Sequence, residues 1–319
     1  MRAPFAVLLL LVSAGGFAGS QTKGKGKIDP NYVIQPGAKG EDVMSVQILL
    51  DRAHFSPGEI DAAFGENLTK AVQAFQMARK LPVTGKVDQA TWDIMQADTA
   101  PGVVNYTITP KDVRGPFFPK AGSLEESAKL KSLGYTSALE ALAERYHSSP
   151  EVLEALNPGV SFDKAGVRIR VPNIHTQAPA KAASVVVDCT AHTVAAYDAS
   201  GAILAFYPAS TGTAQAGLEP GELTVVQVKE NPAFQYNPDV FWETDRRKAK
   251  AKLPPGPNNP VGLVWIQLSR EQYGIHGTAD PSTVGAAQER GSIRLTNWDA
   301  LELSRLVKKG TPAIVKRRS

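Results

Sequence analysis

Apolar residues recur at helical spacing in the first third of the chain. Val43 and Val46 begin one such run, and the spacing returns around Phe75 after a stretch rich in turn-forming residues. Asn67 or Thr69 is a candidate N-cap for this second helix. A shorter run of the same kind follows a glycine turn. The pattern predicts three helices packed as one small domain.

Strand and helix patterns alternate in the middle of the chain. A β-rich run starts at Val103, helical spacing covers residues 138–146 and 150–156, and a second β-rich run ends at Asn173. This order predicts a strand–helix–helix–strand module. Residues 112–136 interrupt it as an insertion.

The last part of the chain is rich in strand patterns. Apolar or alternating runs occur in SVVVDCTAHTVAAYD, GAILAFYPASTG, ELTVVQVKE and GLVWIQL. The turn sequence from Asp198 to Gly201 predicts a hairpin, and the spacing from Trp298 to Val307 predicts one helix near the end. We expect a mainly β domain here.

The chain is predicted to be a multidomain α+β protein, because its 319 residues exceed the usual size of one domain. A basic start at Arg2, an apolar run and then small residues are typical of a secretory signal. The predicted parts are a signal peptide (1–20), a flexible leader (21–36), a three-helix domain (37–97), a βααβ module with an insertion (102–173), a linker (174–183) and a mainly β domain (184–317).

Composition narrows the function classes. The net charge of +4 is small and dispersed, so no nucleic-acid partner is expected. Cys189 is the single cysteine, which excludes an intrachain disulfide. No apolar run is long enough for a transmembrane anchor. We expect an exported protein in the periplasm, the cell wall or the extracellular space, without cofactor or metal; the sequence does not determine its oligomeric state.

The segment from His276 to Arg294 contains the residue types that acyl transfer needs. That reaction requires a nucleophile, a base within hydrogen-bond reach, a group that orients the base, and N–H donors for the oxyanion. His276 follows a strand-like run and is a suitable base near neutral pH. Gly291 precedes Ser292, and glycine allows close approach of a substrate to the backbone.

The three-helix segment resembles the peptidoglycan-binding domain type one over its whole length, in VMSVQILLDRAHF, EIDAAFG, LTKAVQAFQ and LPVTGKVDQATW. The resemblance implies a surface for a glycan or stem peptide. The candidate groups are the loop Gly58 to Gly65 and the faces around Gln47, Gln73 and Gln76. The favoured alternative, residue by residue, is that Asp61, Phe64 and Gly65 only fold the loop.

The middle segment resembles a LysM carbohydrate-binding module in SALEALAERYHSSPEVLEALNPGVSF and AGVRIRVPN. The insertion lies where such a module turns at once into its first helix. For Tyr146 and His147 we favour helix packing and a solvated surface ring over sugar stacking or metal binding.

The last segment resembles the L,D-transpeptidase catalytic domain of the YkuD type, with PPGPNNPVG, IHGT and IRLTNWDALEL as landmarks. The resemblance implies a β-sandwich-like domain that passes an acyl group from a peptidoglycan tetrapeptide stem through a cysteine thioester. It assigns the general base to His276, the orienting backbone carbonyl to Gly277, and substrate or oxyanion contacts to Gly291 and Arg294. The thiol belongs at Ser292.

This chain departs from the family pattern around that position. The family usually reads Ser or Thr, then His, Gly and Cys, whereas this chain reads Glu289, Arg290, Gly291, Ser292. A thiol with a pKa of about 8.5 ionises readily beside an imidazole, while a serine hydroxyl must lose its proton during attack. The carbonyl of Gly277 adds no full negative charge, so we expect slow acylation.

Two nearby residues have alternative interpretations. Arg290 is a candidate contact for a stem-peptide carboxylate, and a solvated ion pair with Glu289 is equally favoured. Cys189 lies in a strand-like run without a nearby histidine motif, so we expect a small buried hydrophobe rather than a substitute nucleophile.

The sequence leaves two functions open. The first is an exported L,D-transpeptidase-like enzyme that uses Ser292 and His276 on peptidoglycan stem peptides, for cross-linking or trimming. The second is a non-catalytic peptidoglycan-binding protein that uses the same fold as a platform for stem peptides or glycan, with avidity from the preceding modules.

Overall fold

The computed structural model describes residues 33–212, 219–237, 250–271, 273–285 and 292–317. The predicted signal peptide, most of the leader, and Glu289 to Gly291 lie outside these residues. No helix in the described ranges is long and apolar enough to cross a membrane. The helices are α1 (Glu41–Arg52), α2 (Glu66–Ala78), α3 (Gln89–Met95), α4 (Pro110–Arg114), α5 (Leu124–Lys129), α6 (Ala138–Arg145), α7 (Pro150–Leu156) and α8 (Asn297–Leu306).

The described strands fall mostly in the last part of the chain, as the pattern predicts. They are β1 (Val103–Thr107), β2 (Arg168–Pro172), β3 (Ser184–Asp188), β4 (Thr193–Tyr197), β5 (Ile203–Pro208), β6 (Ser210–Thr211), β7 (Gly221–Glu230), β8 (Phe234–Tyr236), β9 (Ala251–Leu253), β10 (Val264–Leu268), β11 (Gly274–His276), β12 (Ile293–Arg294) and β13 (Pro312–Lys316). The mixed α+β fold class is confirmed.

Helices α1, α2 and α3 form the helical unit. Their apolar faces meet in one core, and the Phe55 and Phe75 rings pack edge to face with centroids 5.5 Å apart. The expected N-cap is wrong: α2 begins at Glu66, after Gly65 and without a side-chain cap. Asn67 and Thr69 therefore lie inside the first turn, where Asn67 is available for a contact outside the helix.

Two of the three glutamines named as candidate ligand contacts are buried in this unit. Gln47 is 1% exposed, and its side chain donates to Asp61 Oδ1 and accepts from the Ala62 N–H. Gln76 is completely buried and holds the loop that contains Gly85. Their amides fix loop backbone, so these two side chains offer no surface to a glycan.

Strands β1 and β2 pair antiparallel, and α6 and α7 lie between them in the chain and pack on them. The middle unit thus contains the expected two strands and two helices in the expected order. The insertion contains the end of the short helix α4, which begins at Pro110, and the whole of α5. Tyr146 is buried and packs edge-on against Tyr106, with ring centroids 5.7 Å apart. The resemblance of this unit to a LysM module stays a prediction.

The strands from β3 onward, with α8, form the sheet unit. Nine of the described strands are hydrogen-bonded in the order β5-β4-β3-β13-β7-β10-β11-β12-β6. The first residues of β7 pair with β13 and the later ones with β10. Buried residues of both halves of this sheet share one core with α8, so the two halves enclose a common interior. The hairpin around Asp198–Gly201 is present as β4 and β5.

The three units are packed against one another. Phe206 of β5 lies in the core of the helical unit, and its backbone N–H donates to the His54 carbonyl. Met44 and Ile48 of α1 pack with Val152 of α7. The segment 174–183 has no helix or strand, and the N–H of Ala182 donates to Leu306 at the end of α8.

His147 is not the solvated ring that we expected. Its Nδ1 lies 2.9 Å from Asp51 Oδ2 of the helical unit, and its ring stacks on Trp298 of α8 with centroids 5.1 Å apart. The sequence pattern of the middle unit contains no information on these distant partners. His147 thus contacts both of the other units.

Candidate active site

The sheet places His276 beside Ser292. Strand β11 ends at His276, which pairs in register with Arg294 on the parallel neighbour β12. Ser292 immediately precedes β12, and its hydroxyl lies within hydrogen-bond distance of the His276 ring. The N–H of Leu295 donates to the His276 carbonyl and holds the two strands together.

The imidazole of His276 connects a backbone carbonyl to the Ser292 hydroxyl. Its Nδ1 lies 2.7 Å from the Gly277 carbonyl oxygen and its Nε2 lies 3.0 Å from Ser292 Oγ. A carbonyl only accepts, so Nδ1 carries a proton, and Nε2 accepts the serine O–H when the ring is neutral. The side chains are well shielded, since His276 is 3% and Ser292 is 9% exposed.

The ring of His276 is also held from one face. Trp265 on β10 is its partner across the antiparallel pair, and the two rings stack with centroids 5.4 Å apart and planes 14° apart. Stacking and two hydrogen bonds together fix the ring position and its tautomer. Chemically, the pair provides a hydroxyl nucleophile and a base within proton-transfer distance.

Asn297 supports the turn after His276, a role that the sequence analysis missed. Its Oδ1 accepts from the N–H groups of Leu263 and Thr278 at 3.0 and 3.1 Å. Its Nδ2 donates to the Pro257 carbonyl and to both carboxylate oxygens of Glu144 in the middle unit. These partners are far apart in sequence, and no local pattern connects them.

Comparison with known families agrees with the geometry of the sheet unit. A family model described as "L,D-transpeptidase catalytic domain" matches residues 182–315. This match spans nearly the whole sheet unit, hereafter the L,D-transpeptidase domain. A second model, described as "Putative peptidoglycan binding domain", matches residues 39–95 of the helical unit.

Two relatives that are named as L,D-transpeptidases align with about half of this chain. The "Putative L,D-transpeptidase YkuD" of Bacillus licheniformis is 29% identical over 177 residues, 54% of this chain and 90% of that protein. The "Probable L,D-transpeptidase ErfK/SrfK" of Escherichia coli K12 is 30% identical over 183 residues. That alignment spans 55% of this chain and 58% of the E. coli protein, less than two thirds of its length.

Among solved structures, the L,D-transpeptidase of Xylanimonas cellulosilytica is similar to this chain. The sequences are 14% identical, the alignment covers 88% of this chain and 96% of the other, and the TM-score is 0.38.

The remaining predicted site residues of the L,D-transpeptidase domain have different positions. Arg294 is half-buried on β12, where its backbone pairs with His276 and with Ser210. Gly291 and Arg290 lie outside the described residues. Cys189 is 3% exposed in the core of the domain, and burial raises the pKa of its thiol. A buried, protonated thiol has the character of a packing residue, as expected.

The helical unit lies close to the segment that follows His276. Asn67 Nδ2 donates to the Val284 carbonyl at 2.8 Å, next to a cavity of about 200 Å³ between the two units. Glu59 lines this cavity, and burial with nearby Asp61 raises its pKa to about 7. A larger cavity of about 500 Å³ lies where all three units meet, and its lining residues include His54, His147 and Glu302.

Proposed function

We propose that the protein is an exported L,D-transpeptidase-type acyl transferase acting on peptidoglycan stem peptides. The observation that carries the proposal is the contact series from the Gly277 carbonyl through His276 to Ser292, at 2.7 and 3.0 Å. The peptidoglycan-binding family match of the helical unit, which packs beside this domain, supports the substrate class. Export is inferred from the secretory pattern of residues 1–20.

In the first half-reaction, Ser292 Oγ attacks a carbonyl carbon of the donor stem peptide. His276 Nε2 takes the hydroxyl proton as the C–O bond forms. The C–N bond to the terminal residue of the stem then breaks, and Nε2 gives its proton to the leaving amine. The products are a serine ester and a free amino acid.

In the second half-reaction, an amine of another stem peptide attacks the ester carbon. His276 Nε2 accepts the amine proton and returns it to Ser292 Oγ as the ester C–O bond breaks. The new amide is a cross-link between stems. Water in place of the amine gives a trimmed stem instead, so both outcomes use the same acyl-enzyme.

Mass spectrometry tests this proposal on the full chain. The protein is incubated with tetrapeptide muropeptides, and we expect a covalent adduct on the peptide containing Ser292, together with cross-linked or trimmed product. Ser292→Ala should give neither, whereas Ser282→Ala, a change at an exposed serine of the same segment, should give both. Absence of adduct and product from the unaltered protein would contradict the enzyme assignment.

The second candidate is a non-catalytic stem-peptide platform. Two observations favour it: the nucleophile position holds a serine, and the partner of His276 Nδ1 is a carbonyl dipole rather than a charged carboxylate. Under this hypothesis muropeptides bind without turnover. Equal affinity of the unaltered protein and Ser292→Ala, with no adduct in either, supports the platform.

A further inference from the structure

The middle unit is hydrogen-bonded to the PPGPNNPVG segment of the L,D-transpeptidase domain, residues 254–262. The N–H of Leu133 donates to the Pro255 carbonyl at 2.9 Å, and the N–H of Asn258 donates back to the Leu133 carbonyl at 2.8 Å. A Cβ added at Gly256 would lie 2.2 Å from the Leu133 oxygen. Only glycine allows this approach. The insertion of the middle unit thus has a docking surface on the neighbouring domain.

Helix α6 extends this contact toward the active site. Glu140 Oε1 accepts from Asn258 Nδ2 at 2.9 Å. One turn further, the Glu144 carboxylate accepts from Asn297 Nδ2 at 3.2 and 3.1 Å and from the Tyr135 hydroxyl at 2.9 Å. Burial raises the pKa of Glu144 to about 7 against these hydrogen bonds, so an uncharged acceptor at this position is compatible with the fold.

Asn297 passes this support to the peptide group that orients His276. The carbonyl that accepts from His276 Nδ1 and the N–H of Thr278 belong to the same planar peptide unit, between Gly277 and Thr278. Asn297 Oδ1 accepts the Thr278 N–H and so fixes the plane of this peptide. The same plane fixes the direction of the Gly277 carbonyl on its other side. A Cβ added at Gly277 would lie 2.1 Å from Asn297 Oδ1, which shows how closely the amide packs.

We infer that Glu144 is a positioning residue for His276, acting from the middle unit through Asn297. It fixes the amide of Asn297, the amide fixes the Gly277–Thr278 peptide, and the peptide fixes the imidazole. The effect on turnover rests on the proposed function, whereas the structural coupling does not. On this account the middle unit completes the active site of the neighbouring domain.

The test compares three variants of the full chain: Glu144→Ala, Glu144→Gln and the control Glu154→Ala. Glu154 is exposed on α7 of the same unit. Hydrogen exchange is measured at the N–H groups of Leu263 and Thr278, and kcat and KM are measured for muropeptide turnover.

For Glu144→Ala we expect about tenfold faster exchange at Leu263 and Thr278, and about tenfold lower kcat with KM unchanged. Glu144→Gln keeps an acceptor oxygen, so its exchange rates at Leu263 and Thr278 and its kcat should stay close to those of the unaltered protein. Glu154→Ala should also match the unaltered protein. Two results would overturn the inference: exchange in Glu144→Ala equal to that of the control, or a uniform rise across the whole domain. If the unaltered protein has no turnover, the proposed function fails, while the exchange data still decide the inference.

Discussion

Two histidines use both ring nitrogens, but with different partners. One is His276 in the candidate active site, and the other is His54, at the contact between the helical unit and the L,D-transpeptidase domain. His54 Nδ1 lies 2.6 Å from Glu302 Oε1, and its Nε2 lies 2.9 Å from the Gln177 carbonyl. Both partners only accept, so a protonated ring satisfies both. The ring of His276 contacts one carbonyl and one hydroxyl, and because a hydroxyl can donate, a neutral ring also satisfies these two contacts.

The different partners of His54 and His276 indicate different roles, one in holding the units together and one at the candidate active site. A carboxylate beside an imidazole favours the charged ring, and here that pairing holds units together. Beside Ser292, the partner of His276 Nδ1 is a carbonyl, which orients the ring without adding a full charge. A base without a charged partner can activate a readily ionised thiol more easily than it can activate a serine hydroxyl. We therefore expect changes at the junction to affect stability and changes at the site to affect rate.

The largest effect is expected at the junction. Phe206→Ala removes a side chain that is 7% exposed in the core shared by the helical unit and β5. The lost burial and the cavity should lower the free energy of unfolding by about 3 kcal/mol, measured by urea denaturation. The control Val226→Ala, at a residue 38% exposed, should cost under about 0.5 kcal/mol. Equal effects of the two changes would show that the junction contributes little to stability.

Ser292→Cys should have the next largest effect, and on rate alone. The thiol is ionised more easily beside His276 Nε2, so acylation by muropeptides should rise on the order of 10- to 100-fold, as followed by adduct formation over time. Ser282→Cys adds a thiol at an exposed position and should leave the rate unchanged. A Ser292→Cys protein no faster than the original would favour the platform hypothesis.

The contrast between these regions also shows what the sequence can and cannot predict. Helices α1 and α2 follow from apolar spacing because each helix buries one face, and the hairpin of β4 and β5 follows from its turn residues. The order of His276, Gly277 and Ser292 suggested the site through family resemblance, and their catalytic roles stay a prediction.

Contacts between the units were not predictable, because their partners are far apart in the chain. His54 and Glu302 are 248 residues apart, and Glu144 and Asn297 are 153 apart. Periodicity reports which face of a helix is buried, but not which unit covers it. For the same reason His147 was expected in solvent, and Asn67 was expected as a cap although its side chain bonds to Val284.

A smaller effect is expected from pH at the junction. Burial lowers the pKa of His54, but the hydrogen bond and charge of Glu302, the Gln177 carbonyl and the charge of Asp51 together raise it above 6.5. The stabilisation is therefore fully present below about pH 6.5 and is lost as the pH rises through the folded value. His54→Asn suits the positive φ of 66° at this position and removes the titrating ring.

The expected result is a gap in unfolding free energy between the unaltered protein and His54→Asn of up to about 1 kcal/mol at pH 6. The gap should narrow steadily toward pH 8.5 in urea titrations. The control Val226→Ala, which changes no titrating group at an exposed position, should show a gap that does not change with pH. A His54 gap that widens with rising pH would contradict the assignment of a charged ring at the junction.

The smallest effect on the reaction, no change at all, is expected at Cys189, and it tests whether the chemistry belongs to His276 and Ser292 alone. Cys189 packs in the core of the L,D-transpeptidase domain, and burial keeps its thiol protonated by raising its pKa. Cys189→Ala should leave adduct formation by muropeptides unchanged and lower the unfolding free energy by about 1 kcal/mol. Loss of the adduct in a folded Cys189→Ala protein would instead assign the role of nucleophile to Cys189. In that case the serine beside His276 would have only a binding role.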